Sequence, residues 1–218
     1  MKGRKALLII VPAALLAACG QDEITLPPEG GGGGGECGAW YPGGGDAGAD
    51  GGASYAVKEG STFGCYVWES ARRNGEDTYI NTGEIYLAAN RGDSGRKSLV
   101  IVVGARNCTA CKALVEAIAP RKAEFEDKGA LMVGLCRSDL TDPGVRLTLD
   151  EAEDVLVGGD GWPADWYVTN DAERHLPPEL DVLVPWVVVV RLKDMSVRRI
   201  ANYTKETAGD LLSSLDEL

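Results

Sequence analysis

Two cysteines separated by two residues, Cys108 and Cys111, have the clearest chemical potential in this chain. They follow the β-branched, apolar run Ser98–Gly104 and open a pattern of apolar residues with helical spacing. On a helix this spacing places both sulfur atoms on one face, within reach of a disulfide bond. At a helix N-terminus, unpaired backbone N–H groups and the helix dipole favour the thiolate form of Cys108. The pair is therefore predicted to be a dithiol that switches to a disulfide.

The segments around this pair alternate between strand and helix patterns. Residues 98–104 and 130–136 are predicted to be buried strands, with a helix over residues 109–128 between them. A capping box at residues 148–151 opens a helix that runs to about residue 157. The remaining predicted elements are short strands at 65–69, 83–89 and 166–169, a weak turn within 173–180, a hairpin over 185–201 and a final helix over 205–218. This order predicts an α/β fold with a central mixed β-sheet flanked by helices.

The two buried strands determine where chemistry can occur. A right-handed crossover makes them parallel, so their C-terminal ends lie at one edge of the sheet, where ligands collect in open α/β folds. Cys108 and Cys136 both fall at that edge. Because the strand of Cys136 is otherwise apolar, we expect a buried, inert thiol, with a third redox thiol as the alternative.

The N-terminus combines a basic stretch, an apolar run and a cysteine. A basic stretch, residues 1–5, precedes an apolar run over residues 6–18 that is too short to span a bilayer. The run ends in Leu-Ala-Ala-Cys, which resembles a lipobox with Cys19 as the lipid-modified residue. The alternative is an ordinary signal peptide that is cleaved nearby. We therefore expect residues 1–18 to be a signal peptide and the protein to be lipid-anchored in the bacterial cell envelope, facing the periplasm or the outside.

A glycine-rich segment follows the proposed anchor. Residues 19–54 include six consecutive glycines, Gly30–Gly35, and are predicted to be a flexible tether. Ordered structure is expected from about residue 55, so that residues 55–218 form one domain. In an exported protein, disulfides persist. With Cys19 acylated, Cys37 and Cys65 are expected to form a structural disulfide, although Cys136 could pair with either of them.

Charge and the remaining ligand-type residues exclude some classes of function. Residues 1–18 carry three basic residues and no acidic one, so the rest of the chain has 19 basic and 33 acidic residues and a net charge of −14. Such a surface disfavours nucleic acid. No second CxxC or histidine pair is present to complete a zinc site, so no metal is expected. The only histidine, His175, is predicted to be a surface residue of an acidic loop.

Four features together resemble the thioredoxin-fold redoxin family. They are a strand followed by Cys-Thr-Ala-Cys and a helix, the stretch Phe125–Asp139, an insertion before the last hairpin, and Val184-Pro185 before the strand of that hairpin. Within the family, the pattern is similar to the membrane-tethered TlpA-like thiol–disulfide oxidoreductases and to the AhpC/TSA-like peroxiredoxins. The resemblance covers about residues 60–218 and implies a thioredoxin-like fold with an N-terminal β extension.

The resemblance also implies roles for individual residues. Cys108 would attack a substrate disulfide, Cys111 would resolve the mixed disulfide, and Pro185 would be a cis-proline that packs against the dithiol. Val184 would offer its backbone to the incoming peptide. The other residues expected near the substrate are Asn107, Thr109, Ala110 and Trp186. The implied partners are protein thiols and disulfides and a redox partner protein, and no cofactor is implied.

The chain departs from the family pattern around the dithiol. Asn107 stands where a tryptophan is typical, and Val102 replaces the buried acid that commonly accepts a proton from the second cysteine. Glu116 or a water molecule could take that role. Ala105, Arg106 and Asn107 supply neither the proline nor the threonine of the peroxiredoxin pattern, which argues against peroxidase activity.

Three questions stay open at the level of the sequence. Arg106 and Lys112 could lower the pKa of Cys108 or could be ordinary solvated charges. The domain could be a non-catalytic binding module or redox sensor whose Cys108–Cys111 disulfide is structural. A copper-delivery protein is a further alternative, although the CxxC spacing and the position of His175 do not fit that pattern.

Overall fold

The computed structural model describes Pro42 and residues 57–142, 144–177, 180, 184–205 and 207–218. The predicted signal peptide, residues 1–18, lies outside the described residues, as do Cys19, Cys37 and almost all of the tether. The lipid anchor and the pairing of Cys37 therefore stay predictions. No helix in the described ranges is long and apolar enough to cross a membrane.

Strands and helices follow one another along the described chain. The strands are β1 (Val67–Arg73), β2 (Glu76–Asn81), β3 (Ser98–Arg106), β4 (Ala130–Asp139), β5 (Tyr167–Thr169), β6 (Trp186–Arg191) and β7 (Ser196–Asn202). The α-helices are α1 (Thr82–Arg91), α2 (Thr109–Ile118), α3 (Lys122–Asp127), α4 (Leu149–Glu153) and α5 (Ala208–Ser214). A 3₁₀ turn, Ala119–Arg121, joins α2 to α3, and a π-helix, Asp154–Asp160, continues α4.

The strands of the described region form one mixed sheet of seven in the order β2-β1-β5-β4-β3-β6-β7. The central strands β3, β4 and β5 are parallel, and the neighbours on either side are antiparallel. Residue Gly104 of β3 lies opposite Cys136 of β4, and Arg106 lies opposite Asp139 after a register shift. The carboxyl ends of β3 and β4 therefore meet at one edge, as predicted.

Both faces of the sheet are covered, which explains why the central strands are apolar on both sides. On one face, α2, α4, α5 and the π-helix pack against residues such as Val102 and Val187. On the other face, α1 and the chain before β1 cover residues such as Ile101 and Val188. Phe63 and Trp68 are fully buried in this second core. The fold class, the N-terminal β extension and the insertion between β5 and β6 agree with the sequence-based expectation.

One predicted element is wrong. Residues 83–89, expected as a strand, lie inside helix α1. The Asn81 side chain caps this helix by accepting hydrogen bonds from the N–H groups of Gly83, at 2.9 Å, and Glu84, at 3.2 Å. Gly92, at φ 79°, ends it in the left-handed conformation. These two caps favour a helix, and they outweigh the short apolar alternation of residues 83–89 that is typical of a strand.

Other elements differ in their limits. The predicted helix over residues 109–128 is interrupted at Ala119–Arg121, because Pro120 has no N–H to continue the α-helical pattern. The capping box is confirmed, with the Thr148 hydroxyl accepting from the Glu151 N–H and the Glu151 carboxylate accepting from the Thr148 N–H. Strand β2 was not predicted.

Candidate active site

The turn between β3 and α2 positions the two cysteines. Cys108 is the N-cap of α2, and its Sγ accepts the backbone N–H of Cys111 at 3.1 Å. The two residues form a disulfide, with their Cα atoms 5.2 Å apart. Cys108 is 7% exposed and Cys111 3% exposed. Cys108 is thus the sulfur closer to solvent and the one at the positive end of the helix dipole.

The loop before β6 closes over this disulfide. The carbonyl oxygen of Val184 lies 4.0 Å from the Cys108 Sγ, and the Val184 side chain packs against both cysteines and Ala105. The Val184–Pro185 peptide bond is cis, as the resemblance implies. Pro185 is buried, whereas Val184 and Trp186 are half-buried. The structure therefore brings the predicted loop and the dithiol together.

Three more of the predicted residues surround the dithiol. Asn107, Thr109 and Ala110 are all exposed and lie directly before and after Cys108 in the chain. Asn107 has a φ of 63°, in the left-handed region that few residues other than glycine adopt. It turns the chain from the end of β3 to the start of α2.

Asp139, at the end of β4, closes the stretch Phe125–Asp139 that carries part of the resemblance, but no role at the site was predicted for it. Its carboxylate accepts hydrogen bonds from the Asn107 amide, at 3.0 Å and 3.2 Å, and from the Arg106 Nε at 2.8 Å. It also accepts from the backbone N–H of Thr141 at 2.8 Å and from the Thr141 hydroxyl at 2.6 Å. These donors, first among them the Thr141 hydroxyl, hold the pKa of Asp139 well below the usual carboxyl range. Its position after an apolar strand, at the edge that also holds Cys108, was the available signal.

The basic residues beside the dithiol are engaged elsewhere. Arg106 pairs with Asp139 and, at 3.1 Å, with Glu151. These hydrogen bonds, the one to Asp139 being the largest cause, raise the pKa of Arg106. The Lys112 Nζ donates to the carbonyl oxygen of Gly159 at 3.0 Å. Both side chains are therefore paired, Arg106 with two carboxylates and Lys112 with a backbone carbonyl oxygen.

The position of the usual buried acid is apolar here. Val102 is buried in the core between the sheet and α2. Glu116 is exposed on α2. A second carboxyl group for which no role was predicted, Asp160, ends the π-helix and is half-buried. Burial raises the pKa of Asp160, and the nearby Lys112 opposes that shift.

Cys136 is buried and forms no disulfide, as the buried interpretation predicted. Burial raises the pKa of its thiol to about 12, so the thiolate is scarce at neutral pH. Cys136 lies opposite Gly104 in the sheet. A Cβ atom at Gly104 would lie 3.5 Å from the Cys111 Cβ and 3.7 Å from the Cys111 Sγ. Cys111 therefore packs closely over Gly104 of β3, at ordinary van der Waals distance from where a Cβ atom would stand.

The remaining cysteine and histidine side chains of the described region lie away from the dithiol. Cys65 is disulfide-bonded, but its expected partner, Cys37, lies outside the described residues. His175 corrects the surface prediction, because it is half-buried, stacks on Tyr66 and has its Nε2 2.8 Å from the Val67 carbonyl oxygen. In the part of the chain that the structure describes, no group of three or more His, Cys, Asp or Glu residues could hold a metal ion.

The sequence matches no protein-family model and no curated protein. The structure is similar to that of a mitochondrial 2-Cys peroxiredoxin from Plasmodium falciparum, with a TM-score of 0.53 and 11% identity over 73% of this chain and 93% of that chain. AhpC from Mycobacterium tuberculosis gives a TM-score of 0.52 and 14% identity over 74% of this chain and 92% of that chain. A thiol:disulfide interchange protein from Bacteroides sp. gives a TM-score of 0.49 and 11% identity over 73% and 91%. The first two likenesses confirm the thioredoxin-like fold, and at these identities they show the fold alone.

Proposed function

We propose that this chain is a thiol–disulfide oxidoreductase that exchanges disulfides with protein substrates through Cys108 and Cys111. The observation that carries the proposal is the disulfide at the N-terminus of α2, with the carbonyl oxygen of Val184 only 4.0 Å from the Cys108 Sγ. A pair of sulfurs that can form and break a disulfide therefore lies beside a backbone carbonyl group that can accept a hydrogen bond. A substrate would approach the sulfurs at the strand edge, where Asn107, Thr109 and Ala110 are exposed beside Cys108.

The proposed reaction has two chemical steps. In the reduced protein, the Cys108 thiolate attacks one sulfur of a substrate disulfide, forms a mixed disulfide and expels the other substrate sulfur as a thiolate. The Cys111 thiolate then attacks the Cys108 Sγ, forms the Cys108–Cys111 bond and releases the second substrate thiolate. Two electrons pass from the protein to the substrate, and the two substrate thiolates take up the two protons that the protein thiols lose. The same steps in reverse oxidise a substrate dithiol.

The surroundings of the two sulfurs favour Cys108 as the nucleophile. It is more exposed than Cys111, and the backbone N–H of Cys111 points at its Sγ. A hydrogen bond from this N–H and the N-terminal position both stabilise a thiolate. Cys111 is the more buried of the two cysteines. From this position its sulfur would attack the Cys108 sulfur of the mixed disulfide.

The rim of the site provides the contacts for a peptide. The backbone of Val184 would pair with an extended segment next to the substrate cysteine. Trp186, Asn107, Thr109 and Ala110 would line that segment. The substrates are therefore protein disulfides or dithiols, and a second protein must restore the redox state of the dithiol after each turnover.

The cellular setting remains part of the proposal. Lipid on Cys19 would anchor the protein in the bacterial cell envelope, and the glycine-rich segment would let the domain reach partners on the periplasmic or outer side. A Cys37–Cys65 disulfide would fasten the end of this tether to the domain. In an oxidising space the Cys108–Cys111 pair needs a dedicated electron donor or acceptor.

The experiment that tests the proposal uses three variants of the full chain. The reduced protein is mixed with a peptide that contains one internal disulfide, and peptide reduction is followed by mass spectrometry. Cys108→Ser is expected to lower the rate to that of the uncatalysed exchange. Cys111→Ser is expected to trap a mixed disulfide between the peptide and Cys108.

Cys136→Ala is the matched control, because this buried thiol takes no part in the exchange and its replacement should leave the rate close to that of the natural chain. Circular dichroism verifies that each variant is folded. If a folded Cys108→Ser variant reduces the peptide as fast as the natural chain, Cys108 is not the nucleophile and the proposal is wrong. If the natural chain itself reduces the peptide no faster than the uncatalysed exchange, the domain is a binding module with a structural disulfide.

A further inference from the structure

We propose that Asp139 is a positioning residue for the dithiol, which sets its reduction potential by holding Asn107 in the turn before Cys108 and by offsetting the charge of Arg106. This inference rests on the proposed function and adds to it a residue that touches neither sulfur.

The hydrogen bonds of Asp139 join the ends of two strands. The carboxylate is 9% exposed, and it binds two consecutive residues before Cys108, namely Asn107 and Arg106. On its own side it binds Thr141, while the N–H of Leu140 donates to the Arg106 carbonyl oxygen at 3.0 Å. A buried carboxylate is costly unless its oxygens are satisfied. Here Oδ1 accepts from Thr141 and Asn107, and Oδ2 accepts from Arg106 and Asn107.

The first consequence concerns the backbone. Asparagine is one of the few residues besides glycine that adopt the left-handed region, and hydrogen bonds of its side chain help to hold it there. The Asn107 amide is held by both oxygens of Asp139. Because Asn107 directly precedes the N-cap, its conformation determines where the Cys108 sulfur lies relative to the first N–H groups of α2.

The second consequence concerns charge. The Arg106 guanidinium belongs to the residue two positions before Cys108, and Asp139 and Glu151 both pair with it. A positive charge near Cys108 would favour its thiolate and thus the reduced dithiol. The negative charge of Asp139 opposes this effect of the Arg106 charge on the Cys108 thiolate. The remaining charged groups next to the site, Lys112 and Asp160, do not depend on this pair.

The test measures the reduction potential of the natural chain and two variants by glutathione titration, with mass-spectrometric readout of the Cys108–Cys111 peptide. Asp139→Asn keeps the shape and one accepting oxygen but removes the charge. It is expected to lower the pKa of Cys108 and to favour the reduced dithiol about fivefold, which corresponds to a rise of about 20 mV for a two-electron couple.

Arg106→Gln is the sign control, because it removes the cation and leaves the carboxylate. Its expected shift has the opposite direction, toward the disulfide. A purely structural role would not produce opposite shifts in two folded variants. If Asp139→Asn does not fold, the Arg106→Gln shift alone decides.

Two results overturn the inference. One is a reduction potential that is unchanged in folded Asp139→Asn. If only Arg106→Gln folds, an unchanged potential in that variant counts in the same way. The other is a shift of both variants in the same direction. Both results leave the proposed function intact if the natural chain itself titrates reversibly. If the dithiol of the natural chain cannot be reduced in the folded state, the proposed function fails and this inference falls with it.

Discussion

Asp139 links the stability of the domain to pH. Its folded-state pKa is depressed by the donors of Thr141, Asn107 and Arg106. A carboxyl group of this kind contributes stability above its unfolded pKa, about 3.9, and the contribution is lost as the pH falls toward the folded pKa. The ionised form of Asp139 therefore stabilises the folded protein at neutral pH.

We predict how the stability difference between the natural chain and Asp139→Asn depends on pH. The free energies of unfolding in urea should differ by a constant amount above about pH 5, with the natural chain the more stable. The difference should narrow progressively below about pH 4, because protonation removes the charge that the variant lacks. A difference that is the same at pH 7 and pH 3 would show that the Asp139 charge contributes nothing.

Single residues show what the sequence could and could not reveal about the site. Cys108, Cys111 and Pro185 were recognisable because their spacing and their neighbours in the chain carry the signal. The role of Asp139 was not, since its contact with Asn107 spans 32 residues and depends on the register shift between β3 and β4. His175 was misjudged because its partners, Tyr66 and Val67, lie far away in the sequence.

At the scale of elements, β4 crosses the π-helix so closely that one glycine is required. A Cβ atom at Gly134 would lie 2.9 Å from the Trp162 ring and 3.0 Å from the Leu156 Cδ1. Both side chains are buried, so neither can move aside freely. The absence of a side chain at Gly134 is thus what lets Asp154–Asp160 pack on the sheet behind α2.

We predict that Gly134→Val lowers the free energy of unfolding by about 1–3 kcal/mol, the typical cost of overpacking a core. Gly158→Ala, in the same π-helix but with open space around its Cα, is the control and should show no loss. Urea unfolding followed by tryptophan fluorescence measures both. Equal stability of Gly134→Val and the natural chain would mean that the π-helix is not packed on β4 as described.

The elements also show where sequence reasoning fails. The buried strands β3 and β4 could be predicted because each is a continuous apolar run, which is typical of a strand buried on both faces. Residues 83–89 were assigned to a strand because the caps at Asn81 and Gly92 lie outside the alternating stretch. Strand β2 was missed because its residues are mostly polar and its pairing with β1 comes from the tight turn at Asn74 and Gly75, both at positive φ.

On the scale of the whole molecule, the described residues form a sheet whose two faces are covered by apolar cores, with the dithiol at the carboxyl ends of β3 and β4. The α/β class of the fold could be predicted from the order of the elements alone. The net charge of −14 expected after removal of residues 1–18 would repel acidic partners.

The measurement that tests the central claim most directly is the reduction of Cys108–Cys111 in the folded full chain. The protein is equilibrated with glutathione or dithiothreitol buffers, the thiols are alkylated, and each cysteine is scored by mass spectrometry. Circular dichroism follows the folded state at every point. We predict a reversible two-electron transition of this pair while the domain stays folded and Cys136 stays a buried thiol. A pair that resists reduction until the domain unfolds would contradict the account and make the disulfide structural.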